Sequence, residues 1–321
     1  MIEVKSLKKH YPISGHGWGD ENSYVVHAVD DVSFVIEEGE ALGMVGESGS
    51  GKSTIGQMLL MQTQPTSGEI YFDGIPISSS KKQDSKLLMG KVQAVFQDPF
   101  DSLNPRMKVR DIIAEPLSNL KSWSKPEVDS RVEKLMIQVG LSIEHLNKYP
   151  HQMSGGQRQR IGIARAISVN PRFIVLDEPV SALDVSVQAQ VVNLLLDIQK
   201  ENKTTFLFIS HNLAIVEHIC SRIIILYLGK IVEIIETAKL HEPQLHPYTQ
   251  ALIQSIPVPD PTRVKNGTTL KGEIGSGTSI SNGCRFSPRC PQVQAKCFEQ
   301  SPQLIEISPK HWMACHQYHD F

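Results

Sequence analysis

Residues Gly46-Glu47-Ser48-Gly49-Ser50-Gly51-Lys52-Ser53-Thr54 fit the pattern G-x-x-x-x-G-K-[ST], and no other stretch restricts the fold as tightly. An apolar run, Ala41 to Val45, precedes it and reads as a buried strand. Ile55, Met58 and Leu59 follow on one helical face. Strand, glycine loop and helix in that order make a phosphate cradle. The glycines let the backbone curl so that successive amides point inward, and the helix start adds unpaired N–H groups and the positive end of its dipole. Lys52 can reach the β- and γ-phosphates of a nucleotide, and the Ser53 hydroxyl can ligate Mg²⁺. The expected contacts are Gly46, Ser48, Gly49, Gly51, Lys52, Ser53 and Thr54. The plain alternative is a glycine-rich turn with a surface lysine, and the strand–loop–helix context argues against it.

The remaining sequence must say what such a site is used for. At 321 residues the chain suits one large or two modest domains, and an apolar share of 40% supports a proper core. A net charge of −2 gives no bulk reason to bind nucleic acid or anionic lipid. The longest apolar run, Ile223 to Gly229, is far short of the ~20 residues that span a bilayer. Met1 to Ile13 has no signal-peptide core. A soluble or peripheral cytosolic protein is expected.

Along the chain, Ile2 to Val4 and Val25 to Ile36 read as strands, with a Gly-rich loop from Pro12 to Ser23 between them. Gly68 to Ile77 reads as a hairpin around Asp73-Gly74. From Asp98 to Tyr149 strand patterns thin out. Ser124-Lys125-Pro126-Glu127 is a capping box with an early proline, and Val128, Val132, Leu135, Met136 and Val139 share one helical face. A small helical subdomain is expected there. Helices over Gly155–Ser168 and Val185–Lys200 then alternate with strands over 173–176, 204–210 and 222–228, which implies a largely parallel sheet with ligands at its C-terminal edge. A short helix around Tyr248 and Leu252 follows, and Pro257 to Gly283 reads as a linker.

Phe173-Ile174-Val175-Leu176-Asp177-Glu178 is an apolar strand ending in two acids. A triphosphate site needs a carboxylate for Mg²⁺, a role for Asp177, and a group to orient or deprotonate water, a role for Glu178. The pair could otherwise cap the next helix. Ser154-Gly155-Gly156-Gln157 opens a helix with two glycines, which costs about 1 kcal/mol each relative to alanine. Bare amides at that start make a second anion site. One chain can hardly present both loops to the same nucleotide, whereas two facing chains can.

Cys220 stands alone and reads as a small buried residue. Cys284, Cys290, Cys297 and Cys315 crowd the tail with spacing C-x5-C-x6-C-x17-C. In a secreted protein they would suggest disulfides; in the cytosol a metal is expected, with zinc and iron–sulfur both open from spacing alone. His311, His316 and His319 are alternative ligands.

These motifs in this order resemble the ATP-binding subunits of ABC transporters: the phosphate loop, Gln97 in Phe96-Gln97-Asp98-Pro99, Ser154-Gly155-Gly156-Gln157, the acid pair, Ser181-Ala182-Leu183-Asp184, and His211 at a strand end. Met153 stands where leucine is commonest. The resemblance implies an α/β P-loop NTPase with a RecA-like core and antiparallel β subdomain over 1–235, a helical subdomain inserted at about 98–157, and a Cys-rich extension over 236–321. It implies that Gln97 senses the γ-phosphate, joins Ser53 and Asp177 as an Mg²⁺ ligand, and touches the membrane partner. Ser154 and Gly156 would bind the opposite subunit's ATP, His211 would contact the γ-phosphate and attacking water, and Asp184 would lie at the dimer interface or cap its helix. Tyr11 is the choice for stacking on adenine, with Tyr24 as runner-up.

Tyr227-Leu228-Gly229-Lys230-Ile231-Val232-Glu233, His246-Pro247-Tyr248-Thr249 and Cys284-Arg285-Phe286-Ser287-Pro288-Arg289-Cys290-Pro291 look like the oligopeptide/dipeptide importer branch, most like its second ATPase. In the linker, Gly275 and Gly277 replace prolines usual in that branch. The resemblance implies a [4Fe–4S] cluster on the four cysteines, with zinc as the alternative. It implies a paralogous ATPase partner, two transmembrane permeases and an extracytoplasmic peptide-binding protein, with the chain on the cytoplasmic face of the membrane. Peptides lead as cargo, and nickel or metal chelates use the same branch. A soluble ABC ATPase working on DNA or ribosomes is the rival reading; long coiled-coil insertions, tandem cassettes and a basic patch are all missing from the sequence.

Overall fold

The computed structural model describes residues 1–13, 24–78, 88–120, 123–256 and 282–318. The Gly-rich insertion at 14–23, the linker from 257 to 281 and His319 lie outside the described residues. In chain order the strands are β1 (Ile2–Ile13), β2 (Tyr24–Ile36), β3 (Ala41–Val45), β4 (Ser67–Phe72), β5 (Ile75–Ile77), β6 (Val92–Val95), β7 (Phe173–Asp177), β8 (Thr205–Ser210), β9 (Arg222–Tyr227), β10 (Lys230–Glu236), β11 (Ile305–Ser308) and β12 (His311–Met313).

They form two sheets. An eight-stranded sheet runs β11-β12-β10-β9-β3-β8-β7-β6, and a four-stranded antiparallel sheet runs β2-β1-β4-β5. Within the larger sheet β9, β3, β8, β7 and β6 are parallel, whereas β10, β12 and β11 continue its edge in antiparallel register. The parallel strands read as unbroken apolar runs because both faces are covered. Ala41, Ile174, Phe206, Phe208 and Ile223 face one core together with the helical subdomain. Leu42, Met44, Val175, Leu207 and Ile224 face the other, against Ile55, Met58 and Leu59 of the helix Lys52–Leu59 and the inner side of the smaller sheet. Gly43 lets the helix Leu213–Ile219 close on β3, since a Cβ there would come within 2.2 Å of Val216 Cγ1.

β1 is longer than Ile2–Val4. Register shifts between Val4 and Leu7, Leu7 and Lys9, and Lys9 and His10 break its period-two pattern, and Ser6 takes φ 45°. The helical subdomain comprises the helices Val109–Asn119 and Lys125–Gln138 and leads into Gly155–Ile167, all between β6 and β7. The second of these starts as expected, with the Glu127 carboxylate accepting from the Ser124 amide at 2.7 Å.

The tail adds strands to the main sheet. β12 pairs with β10 through Glu233 opposite Met313 and Ile234 opposite Trp312. Beneath this edge Glu233 is fully buried and accepts from His246 N at 3.2 Å, from the Thr249 hydroxyl and from His311 Nε2 at 2.7 Å. A buried carboxylate so satisfied ties β10, the helix Pro247–Ser255 and β12 together.

Candidate active site

The phosphate loop leaves β3 at Val45 and enters its helix at Lys52. Gly46 and Gly51 are required by close backbone: a Cβ would lie 2.3 Å from Leu226 O at the first and 2.3 Å from Ala28 O at the second, where φ is also +103°. Gly229 N donates to Ser50 O at 2.9 Å, so the β9–β10 turn holds the loop from outside. Ser48 and Gly49 are exposed and Thr54 half-buried. Lys52 is 5% exposed and donates to Gly46 O at 2.8 Å, Glu47 O at 2.9 Å and Ser50 Oγ at 3.3 Å. Its ammonium therefore occupies the hollow of the loop. Burial pushes its pKa down, against the opposing pull of Glu178, Asp177 and Glu47.

Two strand ends bring the remaining chemistry to this loop. Ser53 Oγ donates to Asp177 Oδ1 at 3.1 Å, which makes a pair of hard oxygen donors suited to Mg²⁺. Burial raises the Asp177 pKa; the Ser53 hydrogen bond lowers it, Glu178 adds to the rise and Lys52 opposes it. A divalent cation between Ser53 and Asp177 would relieve that burden. Glu178 sits at φ 48°, a left-handed conformation that costs a residue with a side chain about 1–3 kcal/mol and persists where its surroundings impose it. Its amide donates to Ile209 O at 2.9 Å, and its carboxylate lies 3.1 Å from His211 Nδ1, just beyond the end of β8. His211 is 59% exposed, whereas the Glu178 carboxylate beside it is 16% exposed.

Gln97 and Asp177 line one cavity of about 850 Å³, with Glu115 and Arg165 from the helical subdomain on its wall. Ser154 caps its helix, accepting from Gln157 N at 3.3 Å, while Gln157 Oε1 accepts from Ser154 N at 3.0 Å. Gly156 packs on Val187: a Cβ would lie 2.5 Å from Val187 Cγ1. Among the described residues no hydrogen bond joins Ser154 or Gly156 to the phosphate loop. Asp184 stands at the N-cap of the helix Val185–Asn202, but its side chain makes no cap hydrogen bond. Tyr11 lies opposite Val26 and Tyr24 opposite Ile13, so both aromatics belong to the β1–β2 ribbon; Lys9 Nζ sits 4.8 Å from the Tyr11 ring centre.

Cys220 is 5% exposed, and burial raises its thiol pKa, as suits an inert core residue. The four tail cysteines are free thiols gathered in one region, where Cys284 N donates to Cys297 O at 2.8 Å. Backbone amides of Phe286 and Ser287 serve the Cys284 sulfur, Gln292 serves Cys290 and Gln317 serves Cys315. Burial pushes all three of these thiols up, Cys315 to about 11. Nε2 of His311 is spent on Glu233 and that of His316 lies 2.8 Å from Gln300 O, so neither nitrogen is offered to the cysteines. His10, His27 and Asp30 bring three ligand atoms within 4.8 Å of one another. Arg285 and Lys230 already pair with Asp30, so a divalent cation there would sit among fixed positive charges, and we assign none.

Contacts around Glu47 were not legible as function in the sequence. Arg289 grips its carboxylate with NH1 at 2.6 Å and NH2 at 3.0 Å, and the Glu47 amide donates to Tyr248 Oη at 3.0 Å. The only signal was an arginine and a tyrosine inside tail motifs far from the loop in sequence.

Fold and site together define a P-loop nucleoside triphosphatase. The family described as ABC transporter matches residues 29–181, and that described as oligopeptide/dipeptide transporter, C-terminal region, matches residues 232–297. The putative oligopeptide transport ATP-binding protein YkfD of Bacillus subtilis is 48% identical over 99% of this chain and 95% of its own length. The oligopeptide transport ATP-binding protein AppF of the same organism is 46% identical over 99% of this chain and 97% of its own. Among solved structures, the ATP-binding cassette MJ0796 in a dimeric post-hydrolysis state with ADP and Pi superposes with a TM-score of 0.65 at 29% identity. That match covers 74% of this chain and 99% of the cassette. The chain belongs to the ATP-binding subunits of ABC transporters, in their oligopeptide/dipeptide branch: it is an ATPase that energises peptide import.

Proposed function

We propose that two ATP sites form between this chain and a paralogous ATPase subunit, each site built from one chain's phosphate loop and the other's Ser154–Gly156 region or its equivalent. The observation that carries this is the separation within one chain. Lys52, Ser53, Asp177, Glu178 and His211 converge, while the helix start at Ser154 has no bond to them. The relative MJ0796, dimeric with ADP and Pi, supports the same arrangement.

In that site Gly46, Ser48, Gly49 and Gly51 shape the amide cradle, and Lys52 leaves its carbonyl partners to meet the β- and γ-phosphates. Ser53, Asp177 and Gln97 would hold Mg²⁺, which neutralises phosphoryl oxygens. Thr54 adds a hydroxyl near the α-phosphate end of the cradle, and Tyr11 stacks on adenine. Glu178 takes a proton from the attacking water, and His211, bonded to Glu178, holds that water and the γ-phosphate in line. Positioning and electrostatic stabilisation supply most of the rate. The cavity between Gln97 and the helical subdomain faces the permeases, so closure around ATP moves the transmembrane subunits. The chain then works at the cytoplasmic face of the membrane, contacts lipid only through the two permeases, and receives peptides delivered by an extracytoplasmic binding protein. Among the described residues no helix is long and apolar enough to cross a membrane.

The four tail cysteines, free thiols brought together by the fold, would hold an iron–sulfur cluster, with zinc as the alternative. Amide donors aimed at Cys284, Cys290 and Cys315 are the hydrogen bonds that tune such clusters. A [4Fe–4S] cluster held there would pin the extension, and no catalytic step is assigned to it.

The test is Glu178→Gln. It should bind ATP as wild type does and lose about 10²–10⁴-fold in turnover. Turnover like wild type would remove Glu178 from the mechanism.

A further inference from the structure

We propose that Arg289 and Tyr248 are positioning residues for ATP that act through Glu47, so the C-terminal region completes the phosphate loop. The inference rests on the phosphate-loop reading above and concerns how that loop is held.

Glu47 is the loop's second residue, and the extension holds it at both ends. Its amide donates to Tyr248 Oη at 3.0 Å, which turns that N–H away from the hollow. Its carboxylate receives both guanidinium N–H groups of Arg289. Its carbonyl then faces inward, where Lys52 Nζ at 2.9 Å and Ser50 N at 3.2 Å donate to it. The curl of the loop therefore starts from a peptide whose orientation is set by residues more than 200 positions away.

The anchors are themselves rigid. Arg289 has a side chain 8% exposed and lies 3.4 Å from the Tyr227 hydroxyl. Tyr227 and Tyr248 meet edge to face at 4.8 Å, and Phe286 packs on both at 5.2 and 5.4 Å. Arg289 ends the turn Ser287–Arg289 between Cys284 and Cys290, so the cysteine-bearing segment delivers it to the loop. Electrostatics gives the pairing a purpose. An unpaired carboxylate beside the phosphates would repel them, and Arg289 both cancels its charge and holds it aside. A bidentate guanidinium does this with fixed geometry, where a lysine would supply only a point charge.

The experiment compares equilibrium binding of a fluorescent ATP analogue, steady-state kcat and KM, and melting temperature across Arg289→Ala, Arg289→Lys, Tyr248→Phe, Glu47→Gln and the double variant Arg289→Ala/Glu47→Gln. Arg289→Ala should weaken nucleotide binding at least about tenfold, or about 1.4 kcal/mol, and raise KM more than it lowers kcat. Arg289→Lys should recover part of the loss, and Tyr248→Phe should weaken binding with an unchanged melting temperature. In the double variant, removing the exposed carboxylate should bring binding back to within about threefold of Glu47→Gln alone. Unchanged affinity in Arg289→Ala would overturn the inference. So would a double variant weaker than Glu47→Gln alone by the full factor that Arg289→Ala costs in the wild type, because Arg289 would then act on the fold and not through Glu47. Lys52→Ala separates this from the reading beneath it: if that variant binds nucleotide like wild type, the phosphate-loop assignment itself fails. If it loses binding while Arg289→Ala does not, only the positioning role fails.

Discussion

His246 should make the protein acid-sensitive in a way that one substitution removes. The ring is 1% exposed, and its Nδ1 accepts from the Tyr248 amide at 3.1 Å as the cap of the helix Pro247–Ser255. Nδ1 must therefore carry no proton; Nε2 carries it, toward the Ala314 carbonyl. Burial pushes the pKa down from 6.5 to about 3. The native state holds the ring neutral, whereas the unfolded chain takes up a proton below its ordinary value. Stability is thus complete above pH 6.5 and is lost as pH falls from there toward about 3, at about 1.4 kcal/mol per pH unit. Between about pH 7 and about pH 5 the loss is about 2 kcal/mol. Urea unfolding at those two pH values, followed by tryptophan fluorescence, measures it. His246→Asn keeps a side-chain acceptor for the Tyr248 amide but does not titrate. The wild type should lose about 2 kcal/mol more than the variant over that interval. Equal losses would refute a neutral buried His246.

Two further outcomes follow from the geometry. Gly156→Ala puts a methyl into the space of Val187 Cγ1, so it should slow ATP turnover, and adding Val187→Ala should restore part of the rate; no recovery would mean that the clash with Val187 is not what slows the variant. Protein purified without oxygen should contain iron and show the broad visible absorption near about 400 nm of an iron–sulfur cluster, and zinc with a colourless protein would overturn that assignment.

Much of the site was readable because its parts are local. Gly46–Thr54 is continuous, Asp177 and Glu178 end an apolar strand, and Ser154 begins a helix with its own capping box. The parallel strands were readable for a related reason: burial on both faces leaves runs such as Phe206–Ile209 with no polar interruption. What escaped depends on partners distant in sequence. β10 contains a buried Glu233 that looks like a surface residue until His311, 78 positions later, is placed against it. β11 and β12 are short, and only their pairing onto β10 makes them part of the main sheet. The length of β1 was hidden by bulges that defeat alternation. Arg289 and Tyr248 gain meaning only once the tail folds back on Glu47.

On the proposed arrangement neither chain carries a complete ATP site. The direct measurement is ATPase activity per mole of the chain, with an equimolar partner subunit, across a wide range of total protein at saturating Mg²⁺–ATP. A shared site predicts specific activity that climbs with concentration toward a plateau, and a plateau abolished by charge and bulk placed at the signature in Ser154→Arg. Specific activity independent of concentration, with Ser154→Arg still turning over, would contradict it.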